Sequence, residues 1–206
     1  MPSRSKRVFF EDYVFFVDEN VYEPAEDSFL FAENLDVKAG DWVLDMGTGC
    51  GLLAVTAAKR GASVIALDVN PYALQCARKN AILNNARSNV DFVQSDLFSS
   101  FHVAVKFDVI LFNAPYLPTE DIEGSSLLEK AWSGGETGRK VIDLFISEAP
   151  KHLKPQGHIL LLQSTLSNIN ETLCKFTENG MHGSIVAERG LSFFETIAIL
   201  KITSFS

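Results

Sequence analysis

The sequence predicts an α/β domain: a mostly parallel seven-stranded sheet with helices on both faces, closed by an antiparallel C-terminal hairpin. Three observations lead there. Short apolar runs recur along the chain, helical-period segments separate most of them, and the last two runs are too close together for a helix to fit between. Strands joined through helices run parallel, whereas a short link forces an antiparallel pair.

The elements follow in order. An aromatic-rich stretch at 8–17 reads as a hairpin and 26–35 as a helix. The strand runs are "WVLDMG" (42–47), "SVIALD" (63–68), "VDFVQSD" (90–96), "FDVILFN" (107–113) and "HILLLQS" (158–164), then "GSIVAER" (183–189) and "FFETIAILKI" (193–202). Helical periodicity covers about 50–60, 71–84, 138–152 and 166–179. The segment 97–106 is short enough to be a turn or a brief helix. The last two strands are linked by about three residues, including Gly190. The whole of 1–206 reads as one domain, with 1–35 as an N-terminal extension of a core at 36–206.

Composition narrows the function. With 206 residues, 47% apolar and 21% charged, the chain can bury a real core. No apolar run reaches the roughly 20 residues of a membrane helix, and the acid-interrupted start does not read as a signal peptide. Three distant cysteines, Cys50, Cys76 and Cys174, argue against a disulfide framework or a Cys-rich zinc site; no metal ligand set is assigned. They suit a reducing, cytoplasmic setting. A net charge of −8 disfavours general binding to phosphate backbones.

The chemistry gathers at the ends of the strand runs. "DMGTGCG" carries Asp45 and then glycines at 47, 49 and 51, a spacing that permits a tight turn and close approach of a ligand. It is G-x-G-x-G rather than the G-x-G-x-x-G of pyrophosphate sites, and an acid there suits a cationic ligand. In "ALDVNPYAL", Asp68 is placed to accept from ribose hydroxyls, or else it merely caps the next helix. Asn70 can cap without it, which favours the ribose. Asp96 in "QSDLF" either accepts from an adenine amine or is a loop carboxylate. Three successive acids beside a glycine turn describe a nucleoside site without phosphate, and S-adenosyl-L-methionine fits it.

The fourth strand ends in "NAPY". Asn113 Oδ1 and the Ala114 carbonyl could each accept one N–H of a planar amide or amine, with Pro115 fixing the backbone and Tyr116 lying against the planar group. That arrangement orients the lone pair and needs no strong general base. A plain Asn-x-Pro turn is the alternative.

The motif resembles the [N/D]-P-P-[Y/F] signature of methyltransferases acting on planar nitrogens. Together with "VYEPAEDSFLF" (21–31), "LDVNPYAL", "AWSGGETGRKVIDLF" (131–145) and "FFETIAILKI", it is similar to the HemK-type glutamine methyltransferases over about residues 20–202. The likeness is to their short archaeal and eukaryotic branch. It implies a Rossmann-like class I methyltransferase that methylates the side-chain N5 of the glutamine in the Gly-Gly-Gln loop of a class I translation release factor. S-adenosyl-L-methionine would be the donor, leaving as S-adenosyl-L-homocysteine. By the same resemblance, Asp45 and Gly47 would hold the methionine portion, with Gly49 also binding the cofactor, Asp68 the ribose, and Asp96 with Leu97 the adenine. Ser28 would close over the cofactor with Tyr22 and Glu23 nearby, while Asn113, which would also touch the cofactor, and Tyr116 would hold the glutamine. Ala114 departs from the family's proline: it keeps the carbonyl but frees φ and adds an N–H.

The branch also implies a small zinc-binding activator protein, docked along the edge formed by "NVDFVQ". The aromatic stretch "VFFEDYVFFV" adds apolar surface. Between Thr119 and Gly138 the acids Glu120, Asp121, Glu123, Glu129 and Glu136 face only Lys130 before Arg139, a pattern that attracts a basic protein surface. The rivals are an adenine or guanine N-methyltransferase, supported only by Arg4, Lys6 and Arg7, a protein lysine methyltransferase, and a pseudoenzyme disabled by Ala114.

Overall fold

The computed structural model describes residues 5–120 and 126–205. The chain divides into two compact units, residues 1–100 and 101–206. Arg4, Asp121 and Glu123 lie outside the described residues.

The first unit opens with β1 (Lys6–Phe10) and β2 (Tyr13–Val17), an antiparallel two-stranded sheet of its own. After it come α1 (Glu26–Glu33), β3 (Trp42–Met46), α2 (Leu52–Lys59), β4 (Ser63–Asp68), α3 (Pro71–Leu83) and β5 (Val90–Gln94). β3 pairs parallel with β4 and β4 with β5, in a register that sets Asp45 opposite Ala66 and Asp68 opposite Gln94. Seven of the eight α2 side chains, Leu52 to Ala58, are buried, so this helix is apolar all round because it is enclosed all round. Small residues make that possible: three alanines and a threonine whose hydroxyl donates to Leu52 O.

The hairpin is held by asparagines on α3. Asn84 donates to Val14 O and accepts from Val14 N, and Asn80 does the same with Phe16. One turn apart on the helix and two residues apart on the strand, the two amides replace a missing strand partner for β2.

The second unit holds β6 (Phe107–Asn113), α4 (Lys140–Glu148), β7 (Leu153–Ser164), α5 (Ile169–Glu178), β8 (Met181–Gly190) and β9 (Thr196–Ser204). β6 and β7 are parallel, while β9 runs antiparallel to both β7 and β8. The seven-stranded order is β5-β4-β3-β6-β7-β9-β8, so the "NVDFVQ" strand does stand at an edge.

Boundaries shift where turn chemistry and pairing compete. β7 begins five residues before the expected start, at Leu153, but its register breaks between Phe107↔Leu153 and Val109↔His158. The "KPQG" between those pairs bulges, as its proline and glycine suggest. The final link is 191–195 rather than about three residues, because 192–194 wind into a 3-10 turn and β9 starts only at Thr196. Segment 97–106 is turns alone. Among the described residues no helix is long and apolar enough to cross a membrane.

Candidate active site

The first unit gathers acids around a glycine turn. Asp45 is 1% exposed; its Oδ2 accepts from the Thr48 hydroxyl at 2.6 Å, while its buried Oδ1 meets no hydrogen-bond partner among the described residues. Burial pushes the Asp45 carboxyl up to about 7, against the lowering effects of the Thr48 hydroxyl and the Ala54 N–H, and the charge of Asp68 adds to the rise. A buried carboxylate with unspent acceptor capacity is a site for a cation.

The turn itself is conformationally demanding. Gly47, Gly49 and Gly51 have φ of 69°, 56° and 86°, the left-handed region where a side chain is strained. At Gly51 a Cβ would also stand 2.9 Å from Ala77 Cβ on α3, whereas at Gly49 it would meet nothing within 4 Å. The turn therefore packs tightly at one end and leaves open space in its middle.

Asp68, at the tip of β4, closes the turn. Its Oδ2 accepts from Gly49 N at 3.0 Å and its Oδ1 from Asn70 N at 2.9 Å. Burial raises its pKa, opposed by those N–H groups and by that of Val69. The helix cap falls to Asn70, whose Oδ1 accepts from Tyr72 N. Asp68 is thus committed to backbone through one lone pair on each oxygen and keeps further acceptor capacity. Ser95 N bonds to Asp68 O, bringing the following Asp96 to the same end of the sheet; Asp96 is exposed and Leu97 sits half-buried with φ of 46°.

Tyr22 and Ser28 converge on a residue the sequence reading passed over. Tyr22 Oη and Ser28 Oγ lie 3.4 and 3.2 Å from Asp27 Oδ1, and Asp27 is buried. Burial first, then Asp27, holds the phenol of Tyr22 above its ordinary pKa. Glu23 is exposed and pairs with Lys6. Asn70 Nδ2 binds Asn20 O, which ties the chain just before Tyr22 to the start of α3. Asn80, equally unnoticed, also donates to Cys50 O and so links the hairpin to the glycine turn.

The second unit holds the "NAPY" turn. Asn113 ends β6 and is half-buried, Ala114 and Pro115 are buried, and Tyr116 is half-buried. The Ala114 N–H that a proline would lack donates to Leu162 O at 3.4 Å, extending the β6–β7 ladder by one rung. The "WSGGETGR" stretch returns to this turn. Leu117 N bonds to Trp132 O, Gly134 N to Leu117 O and Thr119 N to Gly135 O, with the Thr119 and Ser133 hydroxyls 2.5 Å apart. Residues from Trp132 to Gly138 thus form a strap stitched to the chain that follows the "NAPY" turn. Arg139, just past the end of the acidic loop, is 5% exposed and turned inward.

The acids, the free Asp45 oxygen and the open space at Gly49 fit a cationic nucleoside ligand such as S-adenosyl-L-methionine. A family model, the methyltransferase small domain, matches residues 21–182. The chain belongs to that family. A Methanocaldococcus jannaschii protein provisionally named a protein N5-glutamine methyltransferase is 47% identical over 182 residues, 87% of this chain and 90% of its own length. Human methyltransferase HEMK2 is 32% identical over 195 residues, 89% of this chain and 90% of its own. Among solved structures, the E. cuniculi Mtq2–Trm112 complex, responsible for methylation of the eRF1 translation termination factor, matches with a TM-score of 0.70 at 29% identity, covering 90% of this chain and 99% of that one.

Proposed function

We propose that this chain is a cytoplasmic enzyme that methylates N5 of the glutamine in the Gly-Gly-Gln loop of a class I translation release factor, with S-adenosyl-L-methionine as donor. The observation that carries the reading is the "NAPY" turn at the tip of β6, in a chain whose M. jannaschii relative matches along nearly its whole length. When bound, the donor supplies an electrophilic sulfonium methyl. Asp45 Oδ1, with the Gly47–Gly49 backbone, holds its charged methionine portion; Asp68 takes the ribose, and Asp96 and Leu97 the adenine. Ser28 and Tyr22, fixed by Asp27, close over it.

At the acceptor, Asn113 Oδ1 and the Ala114 carbonyl each take one N–H of the glutamine amide. Holding both N–H groups fixes the amide plane, so that the nitrogen lone pair, perpendicular to it, faces the methyl and the electron density on nitrogen rises. Tyr116 lies against the planar group. Residues 1–206 act as one catalytic domain, and a small zinc-binding activator covers the β5 edge, as a partner subunit accompanies Mtq2 in the E. cuniculi complex.

Mass spectrometry of a release factor, after incubation with this chain and labelled donor, with and without the activator, tests the reading. One labelled methyl on the Gly-Gly-Gln glutamine is expected. Labelling of naked DNA or RNA, with none on the release factor, overturns it.

A further inference from the structure

The "WSGGETGR" stretch has no part in the chemistry proposed so far, yet it carries a heavily bonded, buried cation. Arg139 sits at the end of the strap, just before α4. Its Nη1 donates to Ser167 O at 2.5 Å, Asn168 O at 2.9 Å and Thr172 Oγ1 at 3.1 Å. Its Nη2 meets Asp143 Oδ1 at 2.7 Å and its Nε lies 3.0 Å from Glu171 Oε1. Lys175 bridges the same two acids at 2.7 and 2.8 Å. A buried guanidinium with this many acceptors is fixed in place, because moving it would strand charge away from water.

Its neighbour Gly138 touches the catalytic turn. Gly138 has φ of 71°, and a Cβ there would stand 2.3 Å from Tyr116 O and 3.2 Å from Ser167 Cβ. Between these anchors the strap is tightly wound, with Gly138 N bonded to Gly135 O and Lys140 N to Gly134 O. One end is paired with Leu117 and Thr119; the other is pinned by Arg139 to the turn between β7 and α5.

We infer that Arg139 is a positioning residue for methyl transfer: it fixes the strap, and through the Gly138 backbone it sets where Tyr116 stands beside the acceptor amide. Arg139 touches no reactant. The inference rests on the reading of Asn113–Tyr116 as the acceptor site. It assigns to the strap the geometry of the acceptor and no share in donor binding.

The test uses the full chain carrying Trp42→Phe, so that the half-buried Trp132 is the only tryptophan and reports strap docking. In this background Arg139→Lys keeps the charge and loses the planar fork, and Gly138→Ala pushes directly on Tyr116 O. For both, kcat/KM for the release factor should fall at least about tenfold, cofactor Kd should stay within about twofold, and acrylamide should quench Trp132 more readily. Thr172→Val, which removes one acceptor at nearly constant volume, gives a smaller loss of the same pattern and serves if Arg139→Lys does not fold. Cofactor affinity falling in parallel with kcat/KM, or unchanged kcat/KM with an undocked Trp132, overturns the inference. If the parent chain methylates no release factor, the functional reading fails instead; Trp132 quenching still decides whether Arg139 holds the strap.

Discussion

Two glycine-rich turns, 47–51 and 134–138, each adjoin a buried charge, and they use it in opposite ways. Both need left-handed glycines, and in both a Cβ at one end would collide with a neighbour, Ala77 at Gly51 and Tyr116 O at Gly138. Asp45, however, has one oxygen with no partner among the described residues and a raised pKa, whereas Arg139 spends both Nη atoms on acceptors from Asp143 to Thr172 and leaves only its Nε, 3.0 Å from Glu171 Oε1, without a hydrogen bond. A buried charge with capacity left over is prepared for a ligand. One whose fork is spent on neighbouring acceptors, as both Nη atoms of Arg139 are, is scaffold that holds something else still. On the proposed reading, the first turn receives the donor and the second supports the residues that receive the acceptor.

The hardest blow to this division is Asn113→Ala. With Asn113 serving the acceptor amide, kcat should drop at least about a hundredfold in single-turnover assays while calorimetry finds cofactor Kd within about twofold. Activity within a few-fold of the parent would reduce "NAPY" to an ordinary turn.

Proton linkage probes the other side. The free protein holds Asp45 at about 7, well above its unfolded value near 3.8. Ionised Asp45 therefore costs the free fold stability, and the cost appears as pH rises from about 4 to about 7. A cationic donor reverses that preference by lowering the folded pKa, so binding below pH 7 must release a proton. Cofactor affinity should weaken by up to about tenfold per pH unit on going below pH 7 and level off above it. Asp45→Asn should bind more weakly, lose this slope and show a higher Tm than the parent near neutral pH. A parent chain with the same affinity at pH 5.5 and pH 7.5 would remove Asp45 from the charged part of the donor.

How far the sequence could be read follows the same contrast. Strand tips announce themselves: an acid after an apolar run, glycines at alternate positions, Asn before Pro. Those signals lie in local backbone chemistry, and the parallel runs, the edge position of "NVDFVQ" and the cap by Asn70 were legible from them. Burial of a charged side chain is not local. Nothing in "GETGRK" says that Arg139 turns inward toward residues 167–172, and nothing in "PAEDSF" separates buried Asp27 from exposed Glu26. Asn80 and Asn84 carry no local sign of the β2 backbone they clasp. The early start of β7 was hidden because its bulge has the composition of a turn.

The smallest expected effect concerns the strap's outer charge. With Arg139 buried, Lys130 is the only described cation in the loop against Glu120, Glu129 and Glu136, and Glu129 is partly engaged by Ser126 N. Glu120 and Glu136 are exposed. Exposed acids beside an acceptor site steer a basic protein surface during encounter and repel a phosphate backbone, and salt screens both effects over a Debye length of about 8 Å at physiological ionic strength. kcat/KM for the release factor should therefore fall about threefold between low and physiological salt, with kcat and cofactor Kd unchanged. Replacing Glu120 and Glu136 by glutamine should lower kcat/KM at low salt by a similar factor and flatten the salt dependence. Arg139→Lys, by contrast, should keep the parent's salt slope while losing rate, because its charge is already withdrawn from the surface. A salt slope that persists in the double glutamine variant would place the steering charges elsewhere on the chain.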